Sequence, residues 1–263
     1  MTDLQIFQVA AFTNTSFGGN PAAVVPLEAW LDDSLMQKIA AENNLSETAF
    51  FVPTGDSEWH IRWFTPAVEV PLCGHATLAS AAVIHSRLAH EDWPITLQSA
   101  SGPLLVDLDA DEYVLDLPAN FSQPVDLPDG FEAALGATVS EAYLGKNDLY
   151  MVVLADETEI AGLDPDFGAL AAVTTHGVIA TAPGDQVDFV SRFFAPAIGI
   201  DEDPVTGAAH CVLTPYWSKK LGKDILDARQ ISSRVGELKC ENHGERVILR
   251  GGAVFFLSGV ISI

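Results

Sequence analysis

Basic residues are scarce in this 263-residue chain: 13 Lys and Arg stand against 36 Asp and Glu, for a formal net charge of −23. A surface so negative repels phosphate backbones and anionic membranes, and the longest cationic run is the pair Lys219-Lys220, so nucleic acid is not expected as a partner. Cysteine is scarcer still. Cys73, Cys211 and Cys240 cannot all pair with one another and form no CxxC spacing, which fits a reducing compartment rather than a disulfide framework. No apolar run approaches the ~20 residues that span a bilayer. The opening Met1-Thr2-Asp3-Leu4 lacks the basic and apolar segments of a signal peptide. The expectation is a cytoplasmic protein with no membrane partner. Apolar material is plentiful: 48% of residues are hydrophobic and 19% charged, enough for a core and too little charge for disorder.

The chain repeats itself. Arg62-Trp63-Phe64-Thr65-Pro66-Ala67 recurs 130 positions on as Arg192-Phe193-Phe194-Ala195-Pro196-Ala197, and Pro53 meets Pro183 at the same offset. Pro71-Leu72-Cys73-Gly74 then meets Pro204-Val205-Thr206-Gly207 after three extra residues in the second copy. Ser99-x-x-Gly102-x-Leu104 meets Ser233-x-x-Gly236-x-Leu238 one residue later again. Two copies of this length are a tandem duplication, far outside the 20–50-residue periods of repeat arrays. The proline-rich stretch 118–130 reads as the linker, which predicts an N-terminal lobe over 1–118 and a C-terminal lobe over 119–263. The apolar tail 252–263 extends past the second copy and reads as a buried strand able to cross back to the first lobe.

Element order is shared between the copies. Asp32 to Asn43 carries Leu35, Met36, Ile39 and Ala40 at helical spacing, and Asp164-Pro165-Asp166-Phe167 opens its counterpart with Asp164 as cap and Pro165 in the first turn. Strands are predicted at Trp59–Thr65 and Val187–Phe194 from their β-branched and aromatic content. A second helix follows each Pro-x-x-Gly, Ala-rich over His75–Leu88 in the first copy and interrupted by Pro215 in the second. Strands at Leu104–Asp109, Tyr113–Leu117, Glu237–Cys240 and Arg246–Leu249 complete the pattern. The predicted fold is α+β: two pseudosymmetric lobes, each a barrel-like sheet around a central helix, facing one another across a cleft.

Chemistry is sought where the copies differ. Each Pro-x-x-Gly turn feeds a helix N-terminus whose free N–H groups attract an anion, so the two together would cradle a carboxylate. Glu47 precedes an apolar strand, and its counterpart is Gly177; a carboxylate at such a position suits general acid/base work. His75 follows Gly74 where the second copy has Ala208, and Asp203 lies in the insertion unique to the second copy. Each has a plainer alternative: a helix-cap or surface glutamate, a structural histidine, and an ordinary partner of a helix dipole. Cys73, His75, His210 and Cys211 raise the possibility of zinc, but their Cys-x-His and His-Cys spacings are not the usual metal pattern, and no metal is expected. A two-thiol racemase is excluded by inventory, because the partner of Cys73 is Thr206.

Four segments carry a resemblance over essentially the whole chain: residues 17–25 (FGGNPAAVV), 44–50 (NLSETAF), 73–77 (CGHAT) and 203–210 (DPVTGAAH). The sequence resembles the PhzF-like phenazine-biosynthesis isomerases, which share the fold of diaminopimelate epimerase. The resemblance implies an isomerase without cofactor, a homodimer, acting on a small carboxylate substrate. It implies that Glu47 shuttles a proton between carbons, that His75 and Asp203 assist, and that Asn20, Gly74, Gly207 and Ala208 help hold the substrate. The family commonly has Ser where this chain has Ala208. Losing that hydroxyl removes a hydrogen bond and keeps the backbone N–H, so the phenazine precursor is the less expected substrate. A protein that binds a small carboxylate in the same cleft without turnover is the alternative.

Overall fold

A computed structural model describes residues 3–263 and divides the chain into two compact units. One is the chain up to Asp116 together with Arg250–Ile263; the other is Leu117–Leu249. The first contains β1 (Asp3–Ala11), β2 (Asn20–Pro26), α1 (Asp33–Asn43), β3 (Glu47–Gly55), β4 (Glu58–Phe64), β5 (Glu69–Val70), α2 (Gly74–Leu88), β6 (Ile95–Ser99), β7 (Gly102–Asp109) and all but the last two residues of β8 (Glu112–Pro118). The second contains β9 (Gln123–Pro124), α3 (Phe131–Leu135), β10 (Glu141–Leu144), β11 (Leu149–Val153), α4 (Glu157–Ala161), α5 (Phe167–Val173), β12 (Gly177–Pro183), β13 (Phe189–Ala195), β14 (Ile200–Asp203), α6 (Gly207–Leu221), β15 (Ile225–Gln230), β16 (Gly236–Asn242) and all but the last two residues of β17 (Arg246–Gly251). The last strand, β18 (Ala253–Ser262), pairs antiparallel with β1 and belongs to the first unit.

The duplication is visible in the pairing. In the first unit β2 runs parallel to β3, β3 antiparallel to β4, and β4 takes β5 antiparallel and β6 parallel. In the second β11 runs parallel to β12, β12 antiparallel to β13, and β13 takes β14 antiparallel and β15 parallel. Registers agree residue for residue: Thr48 faces Phe64 as Val178 faces Phe194, and Phe50 faces Arg62 as Ala180 faces Arg192. Register is fixed wherever one face is buried, because a one-residue slip would expose the whole apolar set.

Each sheet wraps a helix. In α2 every residue from His75 to Ile84 is buried, and the helix packs on β1, β2 and β3. A helix apolar all round can only be core, and its alanines let the strands approach closely. The matching helix α6 is buried from Ala209 through Thr214 and packs on β15 and β16. Mixed parallel and antiparallel sheet around a buried helix, twice over, is the α+β architecture expected from the sequence.

Three local expectations fail. Pro215 does not interrupt its helix, which runs on to Leu221. Proline at that position leaves the carbonyl of Cys211 without its helical donor, and the backbone N–H of Asn120 supplies the missing bond at 3.0 Å. The helix after Asp164 starts later than its proline suggested: Asp166, not Asp164, is the cap of α5, accepting the N–H of Ala169 at 2.9 Å. The apolar tail forms a strand but is not buried, since Phe256 and Val260 are each 61% exposed. Its place is secured by the backbone ladder to β1 rather than by burial of its side chains.

Candidate active site

The head of α2 is the chemically rich point of the first unit. The turn Gly18-Gly19 delivers the chain into β2, and Gly19 has φ +63 with no room for a side chain against the carbonyl of Ala11. Only glycine fits such a left-handed, crowded position. Asn20 therefore begins β2 opposite Ala11, and two residues on Ala22 faces Glu47 on the parallel strand β3. The strand side of β3 is set up by α1, which ends on Asn44 in the left-handed conformation and needs only Leu45 and Ser46 to reach Glu47. Cys73 precedes α2 in extended conformation, and its sulfur faces the ring of His75 in the first turn of the helix.

These four side chains meet. His75 Nε2 lies 3.1 Å from Glu47 Oε2. Asn20 Nδ2 donates to His75 Nδ1 at 3.1 Å. Cys73 Sγ lies 3.5 Å from Nδ1 and 3.9 Å from Nε2, and the Ser46 hydroxyl reaches Asn20 Oδ1 at 3.5 Å. Glu47 is 9% exposed, His75 4% and Asn20 fully buried. Glu47 Oε2 is buried without an aligned hydrogen bond among the described residues, so it keeps a lone pair available. Carboxylates are rarely buried in this state unless paired or functional.

Electrostatics follow from that packing. Burial, and then the charge of Glu47, push the Cys73 thiol up to about 11, so it is protonated at neutral pH. Burial alone would pull His75 down, but the sulfur and the carboxylate beside it outweigh burial and hold the imidazole well above the ordinary histidine range. With the thiol neutral, Glu47 is the charge that sustains this. The ligand atoms of Glu47, Cys73 and His75 lie within 4.8 Å of one another, a thiol, imidazole and carboxylate set of the kind zinc accepts. The other two residues weighed for zinc are engaged elsewhere: His210 is buried with Nδ1 on the carbonyl of Thr206 at 2.8 Å, and burial pushes Cys211 up to about 12.

The second unit arranges a different group at the head of α6. Asp203, at the end of β14, accepts the Thr206 hydroxyl at 2.5 Å. Gln230, fully buried at the end of β15, accepts the Thr206 N–H at 2.8 Å and donates to the carbonyl of Asp203 at 2.7 Å. This clamp fixes the turn that leads to Gly207 and Ala208, the first residues of α6, of which Ala208 is exposed.

Comparison with known proteins bears on the whole chain. The family model described as phenazine biosynthesis-like protein, PhzC-PhzF, matches residues 9–259. The chain belongs to this family. An uncharacterised isomerase of Pseudomonas aeruginosa is 49% identical over 261 residues, covering 99% of this chain and 100% of the relative. The crystal structure of a PhzF-family phenazine biosynthesis protein from Enterococcus faecalis superposes with a TM-score of 0.95 at 46% identity, covering all of both chains. A hydroxyproline epimerase from Agrobacterium vitis, 9% identical with a TM-score of 0.62 over 98% of this chain and 92% of its own, shares the fold alone. The PhzF motif residues thus fall into two groups. Asn20, Glu47, Gly74 and His75 gather in the first unit, and Asp203, Gly207 and Ala208 gather in the second. Two residues of these clusters are not singled out by the sequence: Ser46, adjacent to Glu47 inside one of the motifs, where its position offers a signal, and Gln230, which carries no local signal at all. Cys73, considered above as a thiol nucleophile or metal ligand, sits beside the His75 ring.

Proposed function

We propose that this PhzF-family protein is a cofactor-independent isomerase that moves a proton between carbons of a small carboxylate substrate, with Glu47 as the acid/base. The observation that carries the reading is the buried Glu47 carboxylate, whose Oε2 has no aligned hydrogen bond and lies 3.1 Å from an imidazole held toward its charged form. The Pseudomonas relative named an isomerase supports the reaction class. In the proposed step Glu47 takes a proton from a carbon next to the substrate carboxylate or to an enamine-like group. The electron pair left behind delocalises into that group, and Glu47 returns the proton to another carbon. His75 stabilises the glutamate while it is ionised and gives way as it becomes protonated. The free N–H groups at the start of α2, beginning at Gly74, offer an anion a favourable seat. Asp203, Gly207 and Ala208 are assigned to substrate handling on the family motif, and Asn20 to the same site.

Proton transfer by one positioned group contributes ~10² to 10⁴-fold. Incubation in D₂O with a panel of small amino and hydroxy carboxylates, read by mass spectrometry and NMR, should place deuterium on substrate carbon with the native protein. Glu47→Gln should lose exchange by that same factor. Full exchange in Glu47→Gln would overturn the role of the glutamate, and ligands that bind without exchange would make this a carboxylate-binding protein.

We further propose a cytoplasmic homodimer. The three cysteines are free and buried, as a reducing compartment allows. Exposed aromatic surface is left on the first unit, where Phe17, 73% exposed, packs edge-on against Phe256, 61% exposed. Exposed apolar clusters of this kind mark association surfaces. Light scattering should give twice the chain mass, and Phe256→Glu should halve it; a monomeric native protein would refute the dimer.

A further inference from the structure

One strand of the first unit has almost no counterpart in the second. Phe7 of β1 faces Val24 on one side and Ser258 of β18 on the other, as Tyr143 of β10 faces Met151 and Pro124 of β9. Val24 and Met151 in turn face Ala49 and Ile179, which are 130 positions apart like the rest of the repeat. The ladder of β1 with β18 runs from Asp3 opposite Ser262 to Ala11 opposite Ala253, whereas β9 gives β10 only Gln123 and Pro124, with one further bond from the Val125 N–H to the carbonyl of Ala142. The lost length shows at the central helices. With Gly74 set on Gly207 and Leu88 on Leu221, Arg87 corresponds to Lys220 and Val83 to Tyr216. In the first unit the guanidinium of Arg87 lies 4.2 Å from the ring of Phe255, two residues before Leu257 on β18, and Val83 is fully buried. In the second unit the residue two before Gln123 is Phe121, 45% exposed, and Lys220 lies instead over Tyr216 and Trp217 at 5.2 and 5.7 Å.

Where a longer strand would lie there is a cavity of about 640 Å³, inside the ~300–1,000 Å³ range of small-molecule sites. Phe121, Tyr143 and Tyr216 give it three aromatic walls, and Lys219 and Lys220 stand at it. The polar groups are unequally committed. Glu141 accepts the hydroxyls of Tyr143 at 2.8 Å and Tyr216 at 3.0 Å and the ammonium of Lys220 at 2.6 Å, so this carboxylate is neutralised in place. Lys223 is paired likewise with Asp188. Lys219 is exposed and makes no ion pair among the described residues, which leaves it as the uncompensated charge of the cavity. An added strand is a poor occupant. Val125 turns its N–H inward to β10, so the outward-facing position on β9 falls to Pro124, which has no N–H to offer, and proline on a free edge blocks further pairing. A flat ring bearing one anionic group meets both features: aromatic walls receive the ring, and a charge-assisted bond to the ammonium holds the anion.

We propose that this cavity of the second unit binds a small aromatic carboxylate, its ring seated against Tyr216 and Phe121 and its carboxylate paired with Lys219. The first unit shows the same frame with its own aromatic ring, Phe255, held against the helix cation. Every residue lining the cavity belongs to the second unit and none to the Glu47 cluster, so the site stands apart from the isomerase reading.

Titration of the full chain with indole-3-acetate and with its neutral analogue indole-3-acetamide, followed through the backbone amide resonances by NMR, tests it. The acid should shift Phe121, Tyr143 and Tyr216 saturably at millimolar concentration or below, and the amide should bind about tenfold more weakly, as the loss of one charge-assisted bond at a solvent-facing site implies. Lys219→Gln should abolish the preference for the acid, and Phe121→Ala should weaken both ligands; both side chains are exposed, so neither variant endangers the fold. Equal affinity for acid and amide in the native protein, a preference that survives Lys219→Gln, or the absence of a saturable shift overturns the site. Shifts confined to the surroundings of Glu47 and His75 overturn it as well. So do Phe121 and Tyr216 resonances that move on dilution without any probe, which would give the cavity to a second copy of the chain.

Discussion

The two copies of the unit keep the same frame and differ in what they place at one strand start. Arg62 forks onto Glu69 with Nε at 2.7 Å and lies over the ring of Phe64 at 5.2 Å; Arg192 forks onto Glu202 with Nε at 2.7 Å and lies over Phe194 at 4.9 Å. Duplication has preserved an ion pair, a cation–π contact and a strand register together. Yet where β3 begins with Glu47, β12 begins with Gly177, and a Cβ there would come within 2.6 Å of the Phe193 ring. One copy holds a carboxylate at the strand mouth and the other fills the same place with an aromatic ring. A shared scaffold can thus carry an asymmetric site, because the frame's stability comes from positions that did not diverge.

The largest effect should come from forcing the copies to match. Gly177→Glu would push a side chain into Phe193 and bury a carboxylate without the histidine that accompanies Glu47, at a cost of roughly 4 kcal/mol or more. Urea unfolding measures it. A loss under about 1 kcal/mol would show that the second strand mouth has room for a charge and that the difference is not packing.

The helix heads differ in proton affinity, with opposite signs. His210 sits one turn into α6, and burial lowers it to about 4. Its Nδ1 bonds the Thr206 carbonyl, and its Nε2 is buried without a partner among the described residues, so only the neutral ring fits. The unfolded chain binds the proton more readily, and stability should fall as pH drops from about 6.5 toward 4, by roughly 3 kcal/mol in all. His75 is raised instead. Its pairing with Glu47 contributes fully below about pH 6.5, the ordinary histidine value, and is lost as pH climbs through the elevated value. Unfolding curves against pH for the native chain, His210→Gln and His75→Gln should separate the two: the first variant removes the acid slope, the second the slope on the alkaline side. An acid slope that persists in His210→Gln would assign it to another group.

Much of this frame is readable from the chain because it is written twice. An apolar alternation that recurs at a constant offset fixes strand, face and register together, and the motif around Glu47 and His75 marks the head of the first central helix. Other features obey rules that depend on context. Pro215 reads as a helix break because propensity knows nothing of the Asn120 N–H that takes over the orphaned carbonyl. The tail reads as buried because its composition suits a core strand, while pairing with β1 satisfies its backbone and leaves its side chains out. Asn20 appears in the sequence as one residue of a glycine-rich motif; that it faces Nδ1 of His75 depends on the start of β2 and the head of α2, 55 residues apart in the chain, coming together.

The smallest predicted effect concerns the conserved ion pair. Arg192 is the better buried of the two arginines, with a side chain 13% exposed against 20% for Arg62. Besides Glu202 it donates to the carbonyl of Leu163 at 2.6 Å, tying β13 to the segment between α4 and α5. Arg62 spends its third contact on Asp33, a largely exposed carboxylate whose attraction solvent screens. Arg192→Ala should therefore cost on the order of 2 kcal/mol, since it strands a buried carbonyl and leaves the Glu202 carboxylate without its fork. Arg62→Ala should cost less, and high salt should narrow its effect further. Urea unfolding of both variants at low and high salt checks the order. Equal losses in the two would mean that the forks, not the surroundings that diverged after duplication, carry the stabilisation.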